Sequence, residues 1–369
     1  MRWLGFTLLA AGCVAAVCWG PAQLWPTTAA PDGVYGRAGD GPSGLALLSA
    51  QAEKGALQAD VPRPASAANP PSPASPPVTA VAEPFLPEVA EAACTTLLPR
   101  LPGLSRAQCV ATRLQASGAL SRQGAPLYWR DVPSHAGAAA KGQPAAEPLR
   151  VLVVGAMHGD ELTAASLALR WIGMAAAEGA VDADEPAPVH WRFIPVLNPD
   201  GLLAPKPTRV NAGGVDLNRN FPTPGWAEEA PVYWEKRTRK DPRRWPGHTP
   251  LSEPESRFLH QQMDQFQPQL VVSIHAPYGV LDFDGPHDPP LRLGRLRMDK
   301  LGVFPGSLGH YGGLHRGVPV VTIELEHALR MPPDAEVRAM WRDLRHWMNT
   351  RLLDGADAVA GVKPPGLQR

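Results

Sequence analysis

The sequence predicts an α/β fold, with a mixed, mostly parallel sheet covered by helices on both faces and a disordered Pro/Ala-rich linker in front of it. Short apolar runs that suit buried strands alternate along the chain with segments of helical spacing. Nine prolines fall between Pro62 and Pro87, among many Ala and Ser and few large apolar side chains. Such a composition cannot form a core. The residues that follow are numerous enough for one large α/β domain.

The amino-terminal segment has the pattern of an export signal. Arg2 precedes an uncharged run from Trp3 to Trp25 that is rich in Leu, Ala and Val. This run predicts a signal peptide or a membrane anchor, and both stay open because its length also suffices to cross a bilayer. We therefore expect an exported, periplasmic protein, with a membrane tether through residues 3–25 as one form of it. The predicted boundaries are leader 1–25, linker 26–92, folded domain 93–355 and flexible tail 356–369.

Charge and cysteine content limit the partners and suggest the compartment. The chain has 35 Lys+Arg and 35 Asp+Glu, so no nucleic acid is expected as a partner. Cys94 and Cys109 are the two cysteines outside the leader. In an oxidising compartment they would pair and close a loop of about 15 residues, which stabilises a fold by roughly 3 kcal/mol. The oligomeric state is not predicted.

The pattern of the first half of the domain predicts strands that alternate with a helix. Polar and apolar residues alternate around Leu127 and Trp129, and two later runs are continuously apolar. A segment between those runs has apolar residues at helical spacing. The predicted elements are strands over 125–132, 149–157 and 189–197, a helix over 161–178, and a turn at the Asn-Pro-Asp-Gly sequence 198–201.

The second half continues the same pattern. Ser252 and Glu255 have the spacing of a capping box, which predicts a helix from there to about Phe266. Strands are predicted over 270–275 and 318–325. Asp334 begins a last amphipathic helix, and the sequence contains no internal repeat.

Two histidines and a glutamate stand where strands end. His158 leaves a strand and Glu161 follows in the first helical turn, with Gly159 expected to permit the tight turn between them. His275 ends another apolar strand, and the carboxyl ends of strands in such a sheet lie together. Two imidazoles and one carboxylate favour zinc over magnesium, one ion per chain, with one coordination position left open. Asp216 is a candidate to accept a hydrogen bond from a metal histidine.

Five motifs occur in the order known from the zinc metallocarboxypeptidases, and the chain resembles that family. They are HGDE (158–161), NPDG (198–201), GVDLNRNFP (214–222), SIH (273–275) and TIEL (322–325). In its compact form the chain is most similar to the bacterial murein peptide amidases, which cut the γ-D-glutamyl–diaminopimelate bond of wall peptides. The resemblance implies a zinc carboxypeptidase-like catalytic domain and a peptidoglycan-derived peptide as substrate.

The resemblance also implies the metal ligands and the base. By this resemblance His158, Glu161 and His275 hold zinc, and Glu324 is the general base that activates water. Glu324 and Glu326 lie on one face of a predicted strand because side chains alternate with period two. Spacing alone therefore leaves the choice between them open, and only the family pattern selects Glu324.

Four further residues receive roles from the family pattern. Arg209 would stabilise the oxyanion, and Asp216 would orient His158. Asn218 and Arg219 would bind the terminal carboxylate of the substrate. A planar guanidinium such as that of Arg219 matches a carboxylate in two parallel hydrogen bonds, which favours an exopeptidase.

Other functions stay open at this stage. An N-acyl amino acid deacylase of the aspartoacylase or desuccinylase type shares the HxxE and DLNR elements, although NPDG and TIEL favour a peptidase. A wall-binding module without activity is disfavoured because every proposed ligand and the base are present. An ordinary carboxypeptidase is the third alternative, since the sequence does not identify the residue that leaves.

Overall fold

The computed structural model describes three stretches of the chain, and the predicted leader, most of the linker and the tail lie outside them. The chain divides into units 1–78 and 79–369, and every described residue falls in the second. No helix among these residues is long and apolar enough to cross a membrane. The described residues are 86–133, 147–178 and 188–353.

Within these stretches the chain forms one nine-stranded mixed sheet, in the order β1-β2-β4-β3-β5-β9-β6-β8-β7. The four central strands β4, β3, β5 and β9 are parallel, while β2 and β6 flank them in antiparallel pairing. The predicted mixed sheet is confirmed. Its strands are β1 Gln115–Leu120, β2 Pro126–Val132, β3 Leu149–Val154, β4 Val189–Ile194, β5 Leu270–His275, β6 Val280–Asp284, β7 Arg292–Leu293, β8 Leu296–Met298 and β9 Val320–Glu324.

Helices cover both faces of the sheet, as predicted. Along β3, Val151 and Val153 pack on one side with α3 and α7, whereas Leu152 and Val154 pack on the other side with α6. Alternation with period two explains this division, because each central strand is buried on both faces. The helices are α1 Pro87–Leu97, α2 Arg106–Ala111, α3 Leu162–Glu178, α4 Pro199–Leu203, α5 Trp226–Lys236, α6 Pro254–Phe266 and α7 Asp334–Trp347.

The folded domain begins earlier than the sequence predicts. α1 starts at Pro87, before the expected domain boundary at residue 93, and its proline lies in the first helical turn, where a missing N–H is harmless. Cys94 of α1 and Cys109 of α2 form a disulfide, which confirms the predicted pairing. Ser105 and Gln108 make a reciprocal capping box at the start of α2.

The capping box expected at Ser252 is wrong. Glu253 is the residue that precedes α6, and it caps no backbone N–H with its side chain. Ser252 donates its hydroxyl to Glu253 Oε1 at 2.8 Å instead. Pro254 in the first turn defines the start of this helix, because its φ is fixed near the helical value.

Neighbouring parallel strands bring their carboxyl ends to one edge of the sheet. β3 pairs with β5, and β5 pairs with β9 in a register that sets His275 directly opposite Glu324. After β3 the chain passes through Ala156, which has a left-handed φ of 41°. β3 and β4 end earlier than predicted, at Val154 and Ile194, although Leu197 and Asn198 still donate their backbone N–H groups to Gly155 and Ala156.

Candidate metal centre

Three side chains meet at the carboxyl ends of β3 and β5. His158 Nδ1 lies 2.8 Å from Glu161 Oε1 and 3.1 Å from His275 Nδ1, and His275 Nδ1 lies 3.0 Å from Glu161 Oε2. All three residues are buried. Two nitrogens bound to one tetrahedral zinc ion are about 3.3 Å apart, close to the separation seen here. The group can therefore hold a metal ion with little rearrangement.

Gly159 allows the HGDE loop to approach the NPDG turn. A Cβ atom at Gly159 would collide with the backbone of Gly201 and Leu202. Gly159 does not have a positive φ, so the tight turn expected of it is not the reason for a glycine here. Close approach of two backbones is the reason, and it fixes His158 and Glu161 against the start of α4.

Each metal-facing histidine is oriented by a partner on its other nitrogen. His158 Nε2 lies 3.1 Å from Asp216 Oδ1, and His275 Nε2 lies 2.9 Å from Ser273 Oγ. With both Nε2 atoms engaged, both Nδ1 atoms face the centre. The sequence singled out Asp216 but not Ser273. The alternation of side chains with period two could have identified Ser273, because it sets Ser273 and His275 on the same face of β5.

Asp216 connects the metal centre to the neighbouring loop. Its Oδ2 accepts a hydrogen bond from Arg209 Nε at 3.0 Å, and its Oδ1 accepts one from the backbone N–H of Asn218 at 3.0 Å. Burial alone would raise the pKa of Asp216, but Arg209 and His158 hold it well below its ordinary value. The carboxylate is therefore a fixed negative charge beside the histidines.

Arg209 extends its guanidinium toward the metal-facing side of the centre. Arg209 Nη1 lies 3.2 Å from His158 Nδ1 and 3.6 Å from Glu161 Oε1. Burial disfavours the cation, but Asp216 and Glu161 outweigh it and raise the pKa of Arg209. Asn198 of the NPDG turn donates from Nδ2 to the Arg209 carbonyl at 3.1 Å and so holds this residue in place, a role that the sequence did not reveal.

Glu324 ends β9 opposite His275 and is 7% exposed. Its Oε2 is buried and accepts no hydrogen bond from any described residue. Burial and the negative charge of Glu161 raise the pKa of Glu324 to about 8. Glu326, the alternative that spacing left open, is exposed. Burial and register therefore favour Glu324 as the carboxylate of the site.

Arg219 and Asn218 lie in a 3-10 turn, Leu217–Arg219, that Asp216 caps. Arg219 is 4% exposed, donates from Nη1 to the Asn218 carbonyl at 2.6 Å, and lies over the Phe304 ring at 4.5 Å. Its Nε finds no acceptor among the described residues. Burial lowers the pKa of Arg219 to about 10. Asn218 Oδ1 accepts from the backbone N–H of Leu308 at 2.8 Å, which leaves the Asn218 amide nitrogen for a ligand.

Comparison with known proteins identifies the family. The zinc carboxypeptidase family model matches residues 111–284, which include the three metal-ligand candidates. A murein peptide amidase A of Vibrio campbellii is 32% identical over 193 residues, 48% of this chain and 69% of that protein. The chain is a member of the zinc carboxypeptidase family. A murein peptide amidase A of Escherichia coli K12 is 34% identical over 164 residues, 43% of this chain and 57% of that relative, so the match spans a little over half of the latter.

A solved structure supports the same fold. The structure of thrombin activatable fibrinolysis inhibitor superimposes with a TM-score of 0.51 over 75% of this chain and 74% of its own. At 15% sequence identity this likeness bears on the fold alone. It confirms the carboxypeptidase-like fold expected from the motifs.

The donor set fits the zinc of this family. Two imidazole Nδ1 atoms and one carboxylate are the borderline ligands that zinc accepts, and each imidazole has its other nitrogen held by a hydrogen bond. Burial raises the pKa of the Glu161 carboxyl, but the charges of His158 and His275 outweigh it and lower this pKa. His158, Glu161 and His275 therefore form the candidate zinc site.

Proposed function

We propose that this chain is a zinc-dependent exopeptidase or amidase that hydrolyses a peptide amide next to a free C-terminal carboxylate. One observation carries the proposal. Beside the buried metal-ligand group stand a carboxylate and a guanidinium, Glu324 and Arg219, each with a buried polar atom that no described residue bonds. A buried polar atom without a partner is unfavourable, so such atoms favour a ligand that supplies the partner.

Glu324 is the proposed general base. When bound at His158, Glu161 and His275, zinc supplies a Lewis acid that makes water a better nucleophile and polarises the amide carbonyl. Glu324 takes the proton of the attacking water on its free Oε2 and delivers it to the leaving nitrogen. Burial raises the pKa of Glu324 above its ordinary value, so this carboxylate is a stronger base than an exposed glutamate and is suited to accept the proton of water.

Arg209 is the proposed oxyanion donor. Attack on the carbonyl carbon puts negative charge on its oxygen, and a fixed cation beside that oxygen stabilises the transition state. Arg209 Nε is bonded to Asp216, while Nη1 faces the metal ligands. The guanidinium is thus held by one edge and offers the other, so that it needs no reorganisation during the reaction.

Arg219 and Asn218 are the proposed carboxylate-binding pair. A carboxylate would accept from the unpartnered Arg219 Nε and from the amide nitrogen of Asn218. A chain that continued past the scissile residue would lack this carboxylate and leave a buried cation without a partner. Such a loss costs about 1–3 kcal/mol or more, which disfavours internal cleavage.

The proposed substrates are peptides derived from peptidoglycan, cleaved at the γ-D-glutamyl–diaminopimelate bond. Two relatives that share a third of the aligned residues carry the name murein peptide amidase A. Their names support a wall peptide as substrate, and the carboxylate-binding pair supports cleavage at its terminal residue. The finer choice of bond rests on this likeness alone.

Export to the periplasm is proposed with the activity. The uncharged run 3–25 supports a signal peptide or a membrane tether. The disulfide between Cys94 and Cys109 agrees with an oxidising compartment, where such bonds persist. Wall peptides are met outside the cytoplasmic membrane, so the compartment and the substrate are consistent.

The test is hydrolysis of the wall tripeptide by zinc-loaded protein. L-alanyl-γ-D-glutamyl-meso-diaminopimelate is incubated with the full chain, and products are identified by mass. We expect free diaminopimelate and the dipeptide, and hydrolysis about 100-fold slower for the same tripeptide amidated at the α-carboxylate of its diaminopimelate residue. Equal hydrolysis of both forms would contradict the exopeptidase proposal.

Two alternatives are tested by the same preparation. Release of the acyl group from N-acyl amino acids, without cleavage of the tripeptide, would favour a deacylase. Tight binding of wall peptides without any product from the zinc-loaded chain would favour a binding module. Either result would overturn the proposed function.

A further inference from the structure

Two acidic side chains, Asp282 and Asp284, lie on the sheet face that carries Glu324. β6 pairs with β9 so that Val280 is opposite Glu324 and Asp282 is opposite Thr322. Side chains two residues apart point to the same face of a strand. Asp282 and Asp284 therefore continue that face away from the metal centre.

The two aspartates lack an ion-pair partner among the described residues. Within the described residues neither carboxylate has an ion-pair partner within 4.0 Å. Asp282, 6% exposed, accepts hydrogen bonds from the backbone N–H groups of Phe283, at 2.9 Å, and of Leu301, and neither donor carries a charge. Lys300 is the cation that acts on both, and it is exposed. Burial and the charge of Asp282 raise the pKa of Asp284 to about 6.

A short stretch of chain joins these acids to the carboxylate-binding pair. Leu308 donates its backbone N–H to Asn218 Oδ1, and a Cβ on the next residue, Gly309, would collide with Asp284 Oδ2. Leu308 and Gly309 are neighbours in the chain, with Cα atoms about 3.8 Å apart. Asn218 and Asp284 therefore contact adjacent residues. Gly313, further along the same π-helical turn, lies instead against the backbone carbonyl of Asp284. Gly309 therefore makes room for the carboxylate of Asp284, and Gly313 makes room for its backbone.

Arg219 supplies the second, independent sign of a ligand at this place. Its side chain is 4% exposed and its Nε lacks an acceptor, so it is suited to an anion. Asn218 belongs to the same turn as Arg219 and touches the Leu308–Gly309 stretch on which Asp284 rests. A site for a negative group and a site for a positive group therefore both border the stretch Leu308–Gly309.

We propose that Asp282 and Asp284 bind the ammonium group on the side chain of the C-terminal residue whose carboxylate Arg219 and Asn218 bind. The inference rests on the proposed function and names its substrate class, since the residue released would be a diamino acid. An ammonium ion between two carboxylates forms charge-assisted hydrogen bonds that a side chain without the amine cannot make. Diaminopimelate satisfies this requirement through its second amino group.

Binding of free amino acids tests the inference apart from catalysis. The zinc-loaded chain is titrated by calorimetry with meso-diaminopimelate and with 2-aminopimelate, which keeps both carboxylates and lacks the second amine. We expect diaminopimelate to bind about 10- to 100-fold more tightly, the factor that hydrogen bonds to charged groups provide. Similar affinities for the two amino acids would overturn the inference.

Variants locate the preference in the two acids. Asp284→Asn and Asp282→Asn should each reduce the preference for diaminopimelate by about 10-fold while leaving the affinity for 2-aminopimelate within about threefold. Asp288→Asn, at an exposed residue, is the matched control and should keep the wild-type preference. A preference that survives in both pocket variants would contradict the assignment.

Hydrolysis separates failure of this inference from failure of the proposed function. The tripeptides ending in diaminopimelate and in 2-aminopimelate are compared as substrates of the wild-type chain. Equal kcat/KM on both would overturn the role of the acids and leave the exopeptidase intact. Hydrolysis of neither, with the binding preference present, would overturn the exopeptidase and support the acidic pocket.

Discussion

The buried charged groups of the metal centre are bonded to one another, whereas those of the pocket beside it lack such partners among the described residues. In the centre, His158, Glu161, His275, Asp216 and Arg209 are joined to one another by hydrogen bonds and ion pairs. In the pocket, the Nε of Arg219 and the Oε2 of Glu324 are buried without a partner among the described residues, and Asp282 and Asp284 have no ion pair.

This difference distinguishes side chains that orient the metal ligands from side chains that can bind a substrate. A closed network of charged hydrogen bonds fixes orientation, because each member limits the rotation of the next. An unpartnered buried group costs free energy unless a ligand completes it. We therefore expect the loss of any partner in the centre to weaken zinc binding. Substitutions in the pocket should change mainly the binding of substrate.

The largest effect is expected from Glu324→Gln. The amide keeps the shape but cannot take a proton, so kcat should fall by about 10³-fold while the zinc content stays at the wild-type level. Glu326→Gln, at the exposed neighbour, is the control and should keep full turnover. Steady-state kinetics with metal analysis decides, and a Glu324→Gln variant of normal kcat would remove Glu324 as the base.

Arg219→Ala should have the next largest effect. It removes the charged donors for the terminal carboxylate, so kcat/KM for the free tripeptide should fall by about 100-fold. The residual rate on the amidated tripeptide should not change, because that substrate has no carboxylate to lose. Arg237→Ala, at an exposed arginine, serves as control. An equal loss on free and amidated substrates would show that Arg219 acts through the fold instead.

Asp216→Asn tests the closed network. The variant loses the charge that holds both His158 and Arg209, and zinc affinity should fall by about 10- to 100-fold. Competition with a zinc chelator measures this affinity. Asp264→Asn, which breaks an exposed ion pair with Arg316, is the matched control. Unchanged zinc affinity in Asp216→Asn would show that the histidines need no such support.

The pH dependence of carboxylate binding sharpens the view of the pocket. Because burial lowers the pKa of Arg219 to about 10, its charge is present below that pH and lost above it. The KM for the free tripeptide should therefore rise about fivefold between pH 10 and pH 11. The KM for the amidated form should not follow. A KM for the free tripeptide that stays flat up to pH 11, with the fold intact by circular dichroism, would contradict this.

The central strands and metal ligands could be predicted because their pattern is local. Continuous apolar runs predict β3, β5 and β9, and polar residues at their ends predict a site. The short strands β7 and β8 carry no usable periodicity, and Pro231 inside α5 hides that helix from its spacing.

The pocket was harder to foresee, because it depends on which strands become neighbours. The sequence could not choose between Glu324 and Glu326, which differ only in burial and register. Asp282 and Asp284 gain meaning only when β6 is seen beside β9 and Gly309 beside Asp284. Such pairings are set by tertiary packing rather than by local spacing.

Zinc stoichiometry tests the central claim most directly. The wild-type chain, a His275→Ala variant and a control His315→Ala variant, at an exposed histidine that ends the π-helical turn Gly309–His315, are loaded with zinc, dialysed and analysed for metal. We expect one zinc per chain in the wild type and the control and less than about a tenth of that in His275→Ala, since one of three protein ligands is lost. Absence of zinc from the wild type, or an equal content in His275→Ala, would contradict the account.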